Sequence, residues 1–322
     1  MSQAENNPFE HSDTNKRYHT YEYYLRKRFF GKCAKIPLDA GFTCPNIDGT
    51  CGVGGCIYCS GGSGARLSSG LLPLEEQYRI GIEKMSKKWN VEKLIPYLQA
   101  YTNTYTSPDV LEKMLREVSM FKGAVMIDVA TRADCLSDEI VAVLHKCSKE
   151  IPITVELGLQ SAKDETARLI NRGHDFNTFA EGFNRLRKGA PNVKIGIHII
   201  NGLPGESRED MKNTAGSVAN LHPDLVKIHL LHVIRGTKLG QWYEQGKYIP
   251  MQRQEYIETV CDQLELLPPD IVVERVTGDG IAKELLAPEW SKKKVTVIND
   301  IDKELYRRNS YQGKLCKCRM QN

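Results

Sequence analysis

The chain has 322 residues, 41% of them hydrophobic and 26% charged, with a formal net charge of +4. That is an ordinary globular composition, which argues against a disordered or fibrous chain, and no stretch nears the roughly 18 apolar residues of a membrane span. The opening MSQAENNPFEHSD is polar and acidic and lacks the basic-then-apolar order of a signal peptide, so a cytoplasmic protein with no membrane partner is expected. Ten cysteines in a reducing compartment then point to metal or redox chemistry before disulfides.

Residues 16–35 hold seven Lys or Arg against one acid, Glu22, and interleave Tyr18, Tyr21, Tyr23, Tyr24, Phe29 and Phe30 with Arg26, Lys27, Arg28 and Lys32. Such a stretch suits phosphates and stacked bases, or equally an amphipathic helix with solvated charges. From residue 34 onward, short β-branched runs alternate with amphipathic stretches, as in βα units around a parallel sheet. Strands are predicted at Ala34–Leu38, Leu94–Ala100, Ala124–Ala130, Ile153–Leu159, Val193–Ile200 and Leu225–Leu231. Ile271–Val276 is either a seventh strand or a covering extension.

Ser107 reads as an N-cap before Pro108, with Val110, Leu111, Met114, Leu115 and Val118 along one helix face. Ser137 opens a helix with Ile140, Val141 and Leu144, and Asn177 opens another that contains Phe183 and Leu186 and stops at Gly189. The fold class expected is α/β, a partial (β/α)6 TIM-like barrel over residues 34–240. A basic aromatic extension over 1–33 precedes it, and a charged one over 241–322 follows. In such a barrel the site lies at the C-terminal ends of the strands.

After the first predicted strand comes Asp39-Ala-Gly-Phe-Thr-Cys44-Pro-Asn-Ile-Asp-Gly-Thr-Cys51-Gly-Val-Gly-Gly-Cys56-Ile-Tyr-Cys59. Its glycines allow a tight loop, so several thiolates can converge on zinc or on an iron-sulfur cluster. Zinc sites usually present two compact pairs, whereas only Cys56 and Cys59 form one here. The C-x-x-C with Tyr58 before its second cysteine resembles the cluster loop of radical S-adenosylmethionine (SAM) enzymes. The longer spacing Cys44-x11-Cys56-x2-Cys59 within DAGFTCPNIDGT-x-GVGGCIYC resembles the YhcC/YtqA-type members.

That resemblance implies a [4Fe-4S] cluster held by Cys44, Cys56 and Cys59, with one iron open to SAM and Cys51 as an accessory thiol. If Cys51 replaced Cys44 the spacing would be C-x4-C-x2-C. The resemblance extends to ELGLQS at Glu156–Ser161 and NRGHD at Asn171–Asp175, which implies that Glu156, Gln160 and Arg172 face SAM. Gln99, Tyr101 and Asn103 stand where many members have a glycine-rich segment for the SAM amino group. His198 and Gly202, in the strand leading to Gly-Leu-Pro-Gly-Glu, are placed beside the adenosine.

Thr131-Arg132-Ala133-Asp134-Cys135 resembles a TRPDC-like phrase, with Ala133 in place of proline. Lys227 and His229 share one strand face toward substrate. Cys316 and Cys318 are an inert pair, a reducing or resolving pair, or ligands of a second metal with Cys33, Cys51 or Cys261, and the basic residues around them could extend an RNA-facing surface.

The YtqA-like subgroup is associated with the tRNA wobble uridine. The resemblance therefore implies conversion of 5-carboxymethylaminomethyl-(2-thio)uridine at position 34 to 5-aminomethyl-(2-thio)uridine. Partners would be tRNA, an electron donor such as flavodoxin or ferredoxin, and a downstream SAM-dependent methyltransferase. The alternatives are a radical SAM reaction on another small molecule or RNA, or a non-catalytic metal-binding RNA-binding protein. No catalytic residue is assigned.

Overall fold

The structure, a computed structural model, describes residues 7–60, 72–278 and 283–317. In chain order the elements are α1 (Tyr21–Phe29), β1 (Cys33–Leu38), α2 (Leu74–Ser86), β2 (Lys93–Leu98), α3 (Pro108–Ser119), β3 (Ile127–Thr131), α4 (Asp138–Cys147) and β4 (Ile153–Gln160). Then follow α5 (Asp164–Leu169), α6 (Phe176–Gly189), β5 (Lys194–Asn201), α7 (Arg208–Leu221), β6 (Leu225–Leu230) and β7 (Val233–Ile234). The chain continues through α8 (Lys238–Glu244), α9 (Arg253–Leu266), β8 (Val272–Arg275), β9 (Leu285–Ala287) and α10 (Lys294–Arg307).

Seven strands form one sheet in the order β1-β2-β3-β4-β5-β6-β8, and β7 and β9 make a separate antiparallel pair. The pairs β1·β2, β2·β3, β3·β4 and β6·β8 are parallel. Each of these successions is bridged by helix, the connection that parallel strands require. Ile271–Val276, left open between strand and extension, supplies β8, with Leu225 opposite Val272. The third strand begins at Ile127 and not at Ala124, because Gly123 turns the chain at φ +80° and Ala124 makes only an isolated bridge to Leu94.

The chain divides into two compact units. In the first, residues 25–159 and 171–196, the strands bury Ile36, Leu38, Ile95, Leu98, Ile127, Val129, Val155 and Leu157. Burial on both faces of β2, β3 and β4 explains why they read as nearly continuous apolar runs. Helix α3 buries Leu111, Met114, Leu115 and Val118, but Val110 is 47% exposed, since a 3.6-residue period carries it off that stripe.

Ser107 is extended ahead of α3, though its hydroxyl makes no capping bond. Ser137 does cap α4, accepting from the Ile140 N–H at 3.3 Å. The cap of α6 is Asp175, which accepts from the Thr178 N–H at 2.8 Å. Asn177 lies inside that helix and bonds Glu181. α6 packs on the turn Ala133–Cys135, and only glycine fits at 182, where a Cβ would collide with the Ala133 carbonyl oxygen.

The second unit comprises the described residues within 1–24, 160–170 and 197–322. Ser207 and Asp210 form a capping box that starts α7. Ion pairs then lace its helices together: Arg208 reaches Glu258 and Asp262, and Arg308 reaches Asp262 and Glu304. The Val273 N–H donates to His19 O at 2.7 Å, so the N-terminal segment adds a bridge to β8. Among the described residues no helix is long and apolar enough to cross a membrane.

Candidate active site

Beyond β1, the Gln77 side chain exchanges two 2.8 Å hydrogen bonds with the backbone of Asp39 and fixes where the cysteine loop begins. The loop coils through its own backbone: the Ile47 N–H donates to Cys44 O at 2.8 Å, that of Cys51 to Pro45 O at 2.7 Å, and that of Cys59 to Cys56 O at 2.9 Å. Cys44, Cys56 and Cys59 are half-buried, whereas Cys51 is exposed.

Asn46 is the loop's internal brace. It is fully buried, and its Nδ2 donates to Cys56 Sγ at 3.6 Å and to the Asn171 carbonyl. Asn171 answers from its side chain, donating to Gly55 O at 2.8 Å and Val53 O at 3.2 Å. The brace needs room: a Cβ on Gly173 would lie 2.7 Å from Asn46 Oδ1, an atom with no hydrogen-bond partner.

The donor set fits a thiolate-bound cluster. Half-buried sulfurs and an amide N–H aimed at one of them are the surroundings that stabilise and tune iron-sulfur groups. Among the described residues no three cysteine sulfurs lie within 4.8 Å of one another. A single tetrahedral zinc with bonds of about 2.3 Å would hold its sulfurs roughly 3.8 Å apart. Tyr58 is half-buried beside Cys56 and Cys59, and desolvation of its hydroxyl pushes the phenol well above the usual range.

At the end of β2, Tyr101 adopts φ +58°, and the Thr102 N–H donates to Thr43 O at 3.2 Å, tying this segment to the residue before Cys44. Gln99 is half-buried, and its N–H donates to Leu38 O at 3.1 Å. Asn103 is fully buried. Its Nδ2 lies within 3.0 Å of the carbonyls of Leu98, Ala100 and Ala130, which fastens β2 to β3 and leaves Oδ1 without a partner.

Glu156 on β4 is 1% exposed. The expected cost of burying its charge is met by Lys35 Nζ at 2.8 Å and the Tyr97 hydroxyl at 2.6 Å. Lys35 also pairs with the buried Asp128 at 2.5 Å. Sequence spacing gives no sign of this network, since β1, β2, β3 and β4 contribute one member each.

Arg172 is buried, donates from Nη2 to Gly158 O and keeps an Nε with no partner. Arg132 supports it, donating to the Arg172 carbonyl at 2.9 Å and gripping Asp134 through two bonds of 2.9 and 2.7 Å. Burial would raise the Asp134 carboxyl, but the Arg132 fork outweighs it and holds the group below its usual range. Burial, then the charge of Arg172, lowers His174 to about 4. Burial next to Asp134 pushes the Cys135 thiol up to about 12.

In the second unit, Gln160 has φ +73°, and its neighbour Ser161 donates to the Glu206 carboxylate. Burial raises Glu206 to about 7 despite that bond. Gly202 turns at φ +87°, and its carbonyl accepts from the Tyr248 hydroxyl at 2.7 Å. The His198 and His229 rings are 5.2 Å apart. A Cβ on Gly278 would lie 3.2 Å from His232 Cε1 and 3.7 Å from His229 Nδ1, so a third histidine that the sequence reading did not single out joins the group. Cys316 is half-buried, whereas Cys318 and Arg319 lie outside the described residues.

Residues 48–218 match the sequence model of the Radical SAM superfamily, and residues 223–307 match that of the Radical_SAM C-terminal domain. The chain belongs to the radical SAM superfamily. It is 45% identical to the protein YtqA of Bacillus subtilis (strain 168), over 96% of both chains. It is 31% identical to protein YhcC of Escherichia coli (strain K12), over 87% of this chain and 90% of the other. A more distant relative is the tRNA uridine(34) acetyltransferase of Methanocaldococcus infernus, 26% identical over 60% of this chain and 35% of the other.

Among solved structures, the archaeal Methanocaldococcus infernus Elp3 with an N-terminal deletion superposes with a TM-score of 0.63 at 19% identity, covering 87% of this chain and 64% of that one. That likeness shows the partial α/β barrel. As a radical SAM enzyme the protein uses a [4Fe-4S] cluster and SAM, and the non-catalytic metal-binding reading falls away.

Proposed function

We propose that this radical SAM enzyme converts 5-carboxymethylaminomethyl-(2-thio)uridine at tRNA position 34 to 5-aminomethyl-(2-thio)uridine. The observation that carries the reading is the similarity of a radical SAM chain to a tRNA uridine(34) acetyltransferase. The net charge of +4 is compatible with a polyanionic substrate.

Cys44, Cys56 and Cys59 are the proposed cluster ligands, and the Asn46 amide, donating to Cys56 Sγ at 3.6 Å, orients one of them. When bound, the cluster supplies the electron that cleaves SAM, the source of the 5′-deoxyadenosyl radical. Arg172, buried with an unpartnered Nε, offers a charge-assisted donor for the SAM carboxylate. Gln99, Tyr101 and Asn103, at the end of β2, complete the proposed SAM site, in which Asn103 fastens β2 to β3. Glu156, held by Lys35 and Tyr97, lends it fixed negative charge for the SAM amino group or sulfonium.

A flavodoxin- or ferredoxin-like donor, a downstream methyltransferase and a cytoplasmic setting complete the proposal. Nucleosides from the tRNA of source cells lacking this protein test it. The 5-carboxymethylaminomethyl base should accumulate and the 5-aminomethyl derivatives should disappear; an unchanged profile would overturn the assignment.

A further inference from the structure

We propose that the N-terminal ends of β1 and β2 carry a separate RNA-contact surface, in which Trp89 stacks an unpaired base and Lys32, Lys87 and Lys88 take the flanking phosphates. The inference rests on the tRNA reading above and adds a place where the substrate is gripped away from the cysteine loop.

Two large aromatics stand in solvent here, Phe30 at 90% exposure and Trp89 at 54%. One such ring would be unremarkable, but these two are held in position among cations. α1 ends at Phe29, and Phe30 adopts the left-handed φ of +53°. Lys93 Nζ donates to the carbonyls of both residues, satisfying acceptors that a helix C-terminus otherwise leaves orphaned.

Cys33 on β1 lies opposite Lys93 on β2, so the turn after α1 and the connection after α2 are neighbours. Lys32 closes the junction, its Nζ 3.1 Å from the centroid of the Trp89 ring. That cation–π contact fixes the ring while more than half of the residue stays accessible to a base. Lys84, Lys87 and Lys88 are exposed with no acid among residues 84–89, and residues 26–32 likewise contain basic groups and no acid. The preceding Glu83 is engaged by Arg79.

This combination of π-faces and exposed lysines matches the way single-stranded nucleic acid is held. The patch sits at the opposite end of six-residue strands from the cysteine loop, about 20 Å away at 3.3 Å per residue. That distance separates it from the cysteine loop, yet a polyanion as extended as tRNA spans it readily. An anionic bilayer also attracts Trp and Lys, and is therefore an arm of the test.

Binding of unmodified tRNA transcript is measured by fluorescence anisotropy across a salt series for wild type, Trp89→Ala, Trp89→Phe and the double variant Lys87→Gln/Lys88→Gln. Trp89→Ala should weaken binding roughly 5- to 100-fold, the loss of one stacked base, and Trp89→Phe should recover most of it. The double variant should reduce the slope of log affinity against log salt by roughly 1 to 2. Formation of 5′-deoxyadenosine from SAM and dithionite without RNA should stay at the wild-type level, which shows that the variants are folded. Variants that bind like a tRNA-binding wild type overturn the patch alone, as does loss of binding to phosphatidylserine vesicles with tRNA affinity intact. A wild type with no affinity for tRNA overturns both this inference and the substrate reading beneath it.

Discussion

Asn46 shows how much of the site rests on single side chains. Buried between the cysteine loop and the Asn171 segment, it bonds a proposed cluster ligand and a backbone carbonyl 125 residues away in sequence. Asn46→Ala leaves that carbonyl without its donor, so stability should fall by about 1–3 kcal/mol in urea titration, and reconstituted iron content should fall with it. Full iron incorporation in the variant would deny Asn46 its positioning role. Among the cysteines, Cys44→Ala should abolish the brown cluster absorbance and Cys51→Ala should retain it; the reverse would move the ligand assignment to Cys51.

Lys35 pairs with two buried carboxylates at once. Lys35→Met should cost about 3–5 kcal/mol, the penalty for stranding buried charge, again read by urea titration. Glu206 gives a pH test. Its carboxyl is raised from 4.5 in the unfolded chain to about 7 when folded, so the folded state binds the proton more tightly. Its contribution to stability is complete below about pH 4.5 and is lost as pH rises through about 7. In Glu206→Gln that part of the pH dependence should vanish; an unchanged profile would show that another group carries it.

At the scale of elements, the strands were legible because parallel strands buried on both faces are written as unbroken β-branched runs. Where the structure departs from the predicted bounds, a local feature competes with the pattern. Gly123 turns the chain just before the predicted run, so Ala124 only bridges Leu94 and β3 begins at Ile127. Asp175 and Asn177 are both credible caps two residues apart, and only the 2.8 Å bond to Thr178 separates them. The proposed cluster cysteines stood out through their spacing and the family resemblance it carries. Asn46, Lys35 and Tyr97 did not, because their partners come from distant strands and no local period records such pairs. The seat of α6 on the Ala133–Cys135 turn is equally invisible in sequence, yet testable. Gly182→Ala forces a methyl against backbone and should cost about 1–3 kcal/mol, while disturbing the Arg132 support of Arg172. An unshifted melting temperature would show that the helix moves away freely.

For the whole molecule, the family match fixes the cofactors and the class of chemistry, and the relatives at 45% and 31% identity span nearly the same length of chain. The substrate is argued from the distant tRNA-modifying relative and from where positive charge and exposed aromatic rings coincide. The most direct measurement is therefore made on purified components. Anaerobically reconstituted protein is incubated with SAM, dithionite and tRNA carrying 5-carboxymethylaminomethyl-(2-thio)uridine, and the nucleosides are resolved by mass spectrometry. The expected product is 5-aminomethyl-(2-thio)uridine at position 34, formed together with 5′-deoxyadenosine and absent for Cys56→Ala. An unaltered wobble base, with 5′-deoxyadenosine still produced, would contradict it.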